Sequence, residues 1–203
     1  MESAFHLFYG IFMAYFGLIS PGMLNMTALR TRLIFGKKQS VKFAVGAAFV
    51  VLIQAAIALF FAEFFVNNPH IISKLKIGGI VVFFVLSIVF YLQSRKKMMN
   101  KNATKGNFFI KGMAMSAINM LAVPFYLGIS VFLASENKII LEIPYIFYFI
   151  TGASIGSFLL FYTYISFAKI INNRISFIAK NINILLSILF FSLGIVTLIK
   201  LIM

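Results

Sequence analysis

The sequence predicts an all-α membrane protein of six transmembrane helices, arranged as two inverted three-helix halves, with spans one and four interrupted. Three observations carry this. Apolar residues make up 62% of the 203 and charged residues 11%, with a mean hydropathy of +1.03. A soluble domain is about half apolar and a quarter charged. The apolar residues gather into six runs, each near the roughly 20 residues that cross the hydrocarbon of a bilayer. Two of those runs are broken by proline about half a chain length apart.

The first run, 4–29, has no Lys or Arg before Arg30, so it lacks the basic start of a signal peptide and reads as a retained span. Pro21-Gly22 interrupts it: the proline removes a donor and clashes with the preceding turn, and the glycine frees the backbone to bend. The second run is 43–66 and the third 71–93, separated by an outer turn at Pro69. The fourth, 108–134, holds Asn119 within the span and Pro124, which frees a carbonyl one turn upstream. The fifth, 143–168, starts at Pro144, where a missing N–H does no harm, and the sixth is 182–202. No stretch is left for a soluble domain, so 1–203 reads as a single transmembrane domain with approximate halves 1–100 and 101–203.

A net charge of +14 taken alone would point to nucleic acid. Its distribution points elsewhere. Loops one, three and five hold 14 of the 18 basic residues: Arg30 to Lys42, Arg95 to Lys111, and Lys169, Arg174 and Lys180. All four acids, Glu2, Glu63, Glu136 and Glu142, fall on or near the opposite side. The positive-inside rule makes loops one, three and five cytoplasmic and puts both termini outside. The charge is thus a topology signal with some attraction to anionic lipid, and no nucleic-acid partner is expected. The sequon Asn102-Ala103-Thr104 falls in a cytoplasmic loop and is a chance match.

An odd number of spans per half forces the halves into opposite orientations, and broken helices at matching positions of inverted repeats point to a transporter's substrate site near the midplane. The bland alternative is a pair of proline kinks that bind nothing. Gln54, in the middle of span two, either bonds a substrate or ties two helices together. Gly152 and Gly156 have the GxxxG spacing of close helix approach, and Gly78-Gly79 reads the same way or as a mobile point. His6 lies near the outer end of span one. Glu63, about one turn from the outer end of span two, is the only carboxylate that approaches a span. With no Cys there is no disulfide or thiolate chemistry, and no metal cluster, nucleophile–base pair or phosphate loop is legible. Neither an enzyme activity nor a cofactor is expected.

Pro21-Gly22, the run Gly36-Lys37-Lys38, Gly46, Gly112 with Asn119, the GASIG of span five and the LGIVTLIK of span six stand at family-like spacing. Together they resemble the LysE/RhtB superfamily of amino-acid exporters, small six-span proteins of the bacterial inner membrane, over essentially the whole chain. Met23 stands where the family has a second proline, Met120-Leu121 replace a Pro-Lys pair, and span two lacks the family's acid. The resemblance implies an inner-membrane secondary transporter that exports an amino acid or similar small metabolite by alternating access. The substrate would meet Pro21, Gly22, Asn25, Gln54, Asn119 and Pro124, with Glu63 left as the candidate for proton coupling. The alternatives are a scaffold or accessory subunit whose polar residues only pack helices, and an exporter of another small solute. The expected partners are the small-molecule substrate and the lipid bilayer. A six-helix bundle is small enough to pair as a homodimer, which no sequence feature specifies.

Overall fold

The computed structural model describes residues 2–66, 69–95, 106–119 and 121–202. Lys96, Lys97, Lys101, Lys105 and the sequon lie outside them. Among the described residues the chain is helical, without a strand: α1 (Glu2–Gly17), α2 (Met23–Phe35), α3 (Lys37–Val66), α4 (Pro69–Arg95), α5 (Phe108–Ala117), α6 (Ala122–Ser135), α7 (Tyr145–Ser166), α8 (Ala168–Asn173) and α9 (Ile175–Ile202).

Among the described residues three helical segments are long and apolar enough to cross a membrane, Lys37–Phe64, Tyr145–Ser166 and Asn181–Ile199. The pair α5 and α6 makes a fourth if counted as one span bent by 62°. Within α4 the apolar stretch is the shorter Ile77–Leu92. Large apolar side chains stand exposed in stripes at helical spacing, such as Phe5, Phe8, Phe12 and Phe16 on α1 and Phe49, Ile53, Ile57 and Phe64 on α3. Such stripes suit lipid tails, since a water-soluble monomer rarely exposes so much contiguous apolar surface.

Both expected interruptions are present. The first run breaks after Gly17 and resumes at Met23; the fourth breaks after Ala117 and resumes at Ala122. Local sequence explains several boundaries. Gly36 ends α2 with φ +87°, a region that side-chain-bearing residues avoid. Asn107 caps α5, its Oδ1 accepting from the N–H groups of Phe109 and Ile110 at 3.1 and 3.4 Å. Pro124 falls in the first turn of α6 rather than at the break. There its missing N–H has no intrahelical partner to lose, so the expected freed carbonyl one turn upstream is not of its making. Helix α5 ends earlier, at Ala117, seven residues before Pro124.

Glycines set the closest helix pairs. A Cβ on Gly10 of α1 would collide with the Phe149 carbonyl of α7 and stand 2.9 Å from the Ala153 nitrogen. A Cβ on Gly112 of α5 would collide with the Phe43 carbonyl of α3 and stand 3.0 Å from the Ala47 nitrogen. In the reverse direction Gly152 abuts the Leu7 carbonyl, and Gly46 the Phe109 carbonyl. Gly156, the second member of the GxxxG pair, abuts Ile11. Gly78 and Gly79 differ from the expected close packing: a Cβ on either would meet nothing within 4 Å.

The four acids lie at one end of the bundle, where Phe60 of α3 meets Phe147 of α7 at 6.1 Å between ring centroids. The largest hydrophobic core includes this acidic end, with Ala58, Leu59, Ala62, Ile129, Leu133, Ile139, Leu141, Ile146 and Phe149 all buried, and continues along α4 and α9 to Phe90 and Phe190. Toward the basic end the packing divides into two smaller clusters, around Phe43 with Phe161 and around Leu29 with Tyr164. Lys37 lies there over the Tyr162 ring, 5.2 Å from its centroid.

Candidate solute site between the helix breaks

A helix that breaks inside a membrane strands carbonyls that no water can reach, so each needs a partner or it costs several kcal/mol. At the first break the partners are found residue by residue. Asn25, one turn into α2, donates through Nδ2 to the Leu18 carbonyl at 2.8 Å and to the Ser20 carbonyl at 2.6 Å. The intervening Ile19 carbonyl accepts from the Tyr164 hydroxyl of α7 at 2.7 Å. Ser20 Oγ donates to Asn183 Oδ1 of α9. At the second break Gln54 of α3 donates through Nε2 to the Ser116 carbonyl at 2.9 Å and reaches the Asn119 carbonyl at 3.5 Å. Both carboxamides are buried, and their oxygens have no hydrogen-bond partner among the described residues.

Between the breaks lies a cavity of about 220 Å³. Its walls come from the first break and α2 (Gly17, Ser20, Gly22, Met23, Leu24, Asn25), from the second break (Asn119, Leu121), and from Val51, Phe90 and Phe161. Val51 sits midway along α3, whereas Phe90 and Phe161 are each within two turns of the basic ends of their helices. The cavity therefore begins at mid-bundle and extends toward the basic end. Beyond Val51 toward the acidic end, α3 carries the buried Ala55, Ala58, Leu59 and Ala62 of the large core.

The cavity's electrostatics come from helix ends rather than charges. Gly22 is the N-cap of α2 and supplies no side chain to its first turn. The N–H groups there have no intrahelical acceptor and carry the positive end of the helix dipole. The C-terminal end of α5 faces the same break as Asn119 and carries the negative end. Gly22 itself has φ −76° and ψ −175°, an extended conformation open to any residue. The expectation that it is needed to bend the backbone is thus replaced by another: it leaves room, since a Cβ there meets only the Ser20 oxygen at 3.8 Å.

Of the residues singled out from sequence, Gly22, Asn25 and Asn119 line the cavity. Pro21 is buried beside it, Gln54 braces the second break from behind, and Pro124 starts α6 without reaching the wall. Glu63 is not brought to it: it is twelve residues beyond Val51 on α3, about 18 Å at 1.5 Å per residue. Asn183 and Ser116 carry no role in the sequence reading, and Tyr164 reads there only as one more hydroxyl of span five, although each holds or presents a group at a break. Intramembrane polarity was the available signal for Asn183. Among the described residues no group of His, Cys, Asp or Glu can hold a metal ion.

A family profile described as LysE type translocator matches residues 15–201, which takes in both breaks and every wall of the cavity. The chain belongs to the LysE type translocator family. No curated protein and no solved structure matches it. As a LysE type translocator it is a multi-pass membrane protein of a family of transporters, and its partners are a small solute and membrane lipid. The translocator's cavity is smaller than the roughly 300 Å³ at which pockets for drug-sized ligands begin.

Proposed function

We propose that the protein is a six-span secondary transporter of the bacterial inner membrane that exports an amino acid or a similar small metabolite by alternating access. The observation that carries this reading is the cavity, which joins two broken helices at mid-bundle and offers helix ends of opposite sign. A zwitterion fits that pattern. Its carboxylate would meet the first-turn N–H groups of α2 beyond Gly22, and its ammonium would meet the Asn119 region and the Asn25 amide oxygen. Pro21, Gln54 and Pro124 would fix the backbone that presents these groups. In this reading loops one, three and five are cytoplasmic, both termini are outside, and the cavity faces the cytoplasm, where an exporter loads.

The proposed inverted halves, 1–100 and 101–203, are supported by the glycine contacts. Gly10 and Gly112 are 102 positions apart, as are Leu7 and Phe109; Phe149 and Phe43 are 106 apart, as are Gly152 and Gly46. The α1–α7 contacts thus recur residue by residue between α5 and α3. Ser154 Oγ donates to the Ala48 carbonyl at 2.9 Å, and these two positions are also 106 apart, so equivalent positions touch as they do on a two-fold axis. Such halves can rock about the site and exchange the sealed end.

The test is efflux from export-deficient cells loaded with dipeptides. Expression of the protein is expected to raise the external concentration of one amino acid or a few. Unchanged efflux for all twenty would overturn the amino-acid reading.

A further inference from the structure

His6 is buried in the first turns of α1, 3% exposed, at the acidic end of the bundle. Both ring nitrogens are committed. The Ile140 N–H donates to Nε2 at 2.7 Å, so Nε2 bears a lone pair, and Nδ1 therefore carries the proton and donates to the Glu2 carbonyl at 2.8 Å. The ring stacks on Tyr145 of α7 at 4.9 Å, and the Tyr145 hydroxyl donates to Glu2 Oε2 at 2.9 Å. One imidazole thus joins α1, the α6–α7 loop and α7. The loop it holds plugs the core, with Ile139 and Leu141 both buried.

This geometry admits only a neutral imidazole. A second proton would have to go on Nε2 and would turn an acceptor into a donor facing the Ile140 N–H. One of the two groups would be left buried and unpaired, at a cost that separation of the loop from α1 removes. From this we propose that His6 is a proton-binding site that latches the acidic end when neutral and releases it when protonated. The proposal rests on the alternating-access reading, in which this end is the outer gate. Acid on this side is therefore expected to open the gate. The other titratable or charged groups around the latch are Glu2 and Tyr9 on α1, Glu136, Lys138 and Glu142 on the loop, and Tyr145 and Tyr148 on α7. Glu2 and Glu142 are the carboxylates near Tyr145.

The protein has no cysteine, so a pair of spin labels at Ala4→Cys and Ile143→Cys, both exposed positions, reports the latch alone. In lipid nanodiscs the label distance is expected to be short and narrow at pH 8 and to lengthen and broaden by pH 5. His6→Gln can accept from Ile140 and donate to Glu2 without titrating, and should hold the short distance at both pH values. Glu2→Gln and Glu142→Gln should keep the pH response. A distance indifferent to pH in the parent protein, or an equal response in His6→Gln, overturns the latch. A His6-dependent response in a protein that exports none of the amino acids would keep the latch and overturn the transport reading instead.

Discussion

Gln54 on α3 donates its carboxamide N–H to the Ser116 carbonyl at 2.9 Å, bracing a helix break that lies 62 residues further along the chain. Replacement by leucine keeps the volume and leaves that carbonyl with the Asn119 N–H at 3.0 Å as its remaining donor. The expected loss is about 0.5–1.5 kcal/mol, read as a lower unfolding midpoint of the purified protein. Export should fall with it, because the break forms a wall of the cavity. Lost transport at an unchanged midpoint would instead make Gln54 a direct solute contact.

Two side chains from different helices brace the first break, which predicts a graded series. Tyr164→Phe removes one donor, to the Ile19 carbonyl, while Asn25→Leu removes the side-chain donor to both Leu18 and Ser20, leaving Ser20 the Gly22 N–H at 2.6 Å. The tyrosine variant should lose about 1 kcal/mol and the asparagine variant roughly twice that or more. The two residues serve neighbouring carbonyls of one short segment, so the double variant should depart from additivity. Denaturation of all three in the same detergent checks the order.

How far the site could be read from sequence depends on the range of each interaction. Pro21 and Asn119 announce the breaks locally, because a proline or an amide in an apolar run is conspicuous wherever its partners lie. The braces are not local. Nothing near Gln54 says that its partner is Ser116, and nothing near Tyr164 points to Ile19; those pairings exist only once α3 meets α5 and α7 meets the first break. Pro124 shows the converse error. A proline inside a predicted span reads as the kink, yet α5 ends at Ala117 and Pro124 falls in the first turn of α6, where the ring fits. The glycines divide the same way. GxxxG spacing identified Gly152 and Gly156, but Gly10 and Gly112 have no glycine four residues away and reveal their closeness only through the neighbouring helix.

Those glycines predict paired outcomes. Gly10→Ala and Gly112→Ala each drive a methyl group into a backbone carbonyl of the adjacent helix, which side chains cannot relieve. Each should destabilise by about 1–3 kcal/mol, and by similar amounts if the contacts are equivalent across two halves. Gly79→Ala meets open space and should be neutral or slightly stabilising, since alanine is the better helix former. A large loss at Gly79, or none at Gly10 and Gly112, would contradict the packing.

Gly22 separates binding from folding. Its backbone is extended and its Cβ position is open, so Gly22→Leu should fold with an unchanged midpoint while its side chain occupies part of a cavity of about 220 Å³. If the solute lies against the first turn of α2, the added side chain competes for the same volume. An overpacking cost of about 1.4 kcal/mol or more then weakens binding by roughly tenfold or more. Gly22→Ala adds one methyl group and should fall between. Efflux assays on the two variants, at matched membrane abundance, should rank parent above alanine above leucine. Full efflux from the leucine variant would place the solute path elsewhere in the bundle.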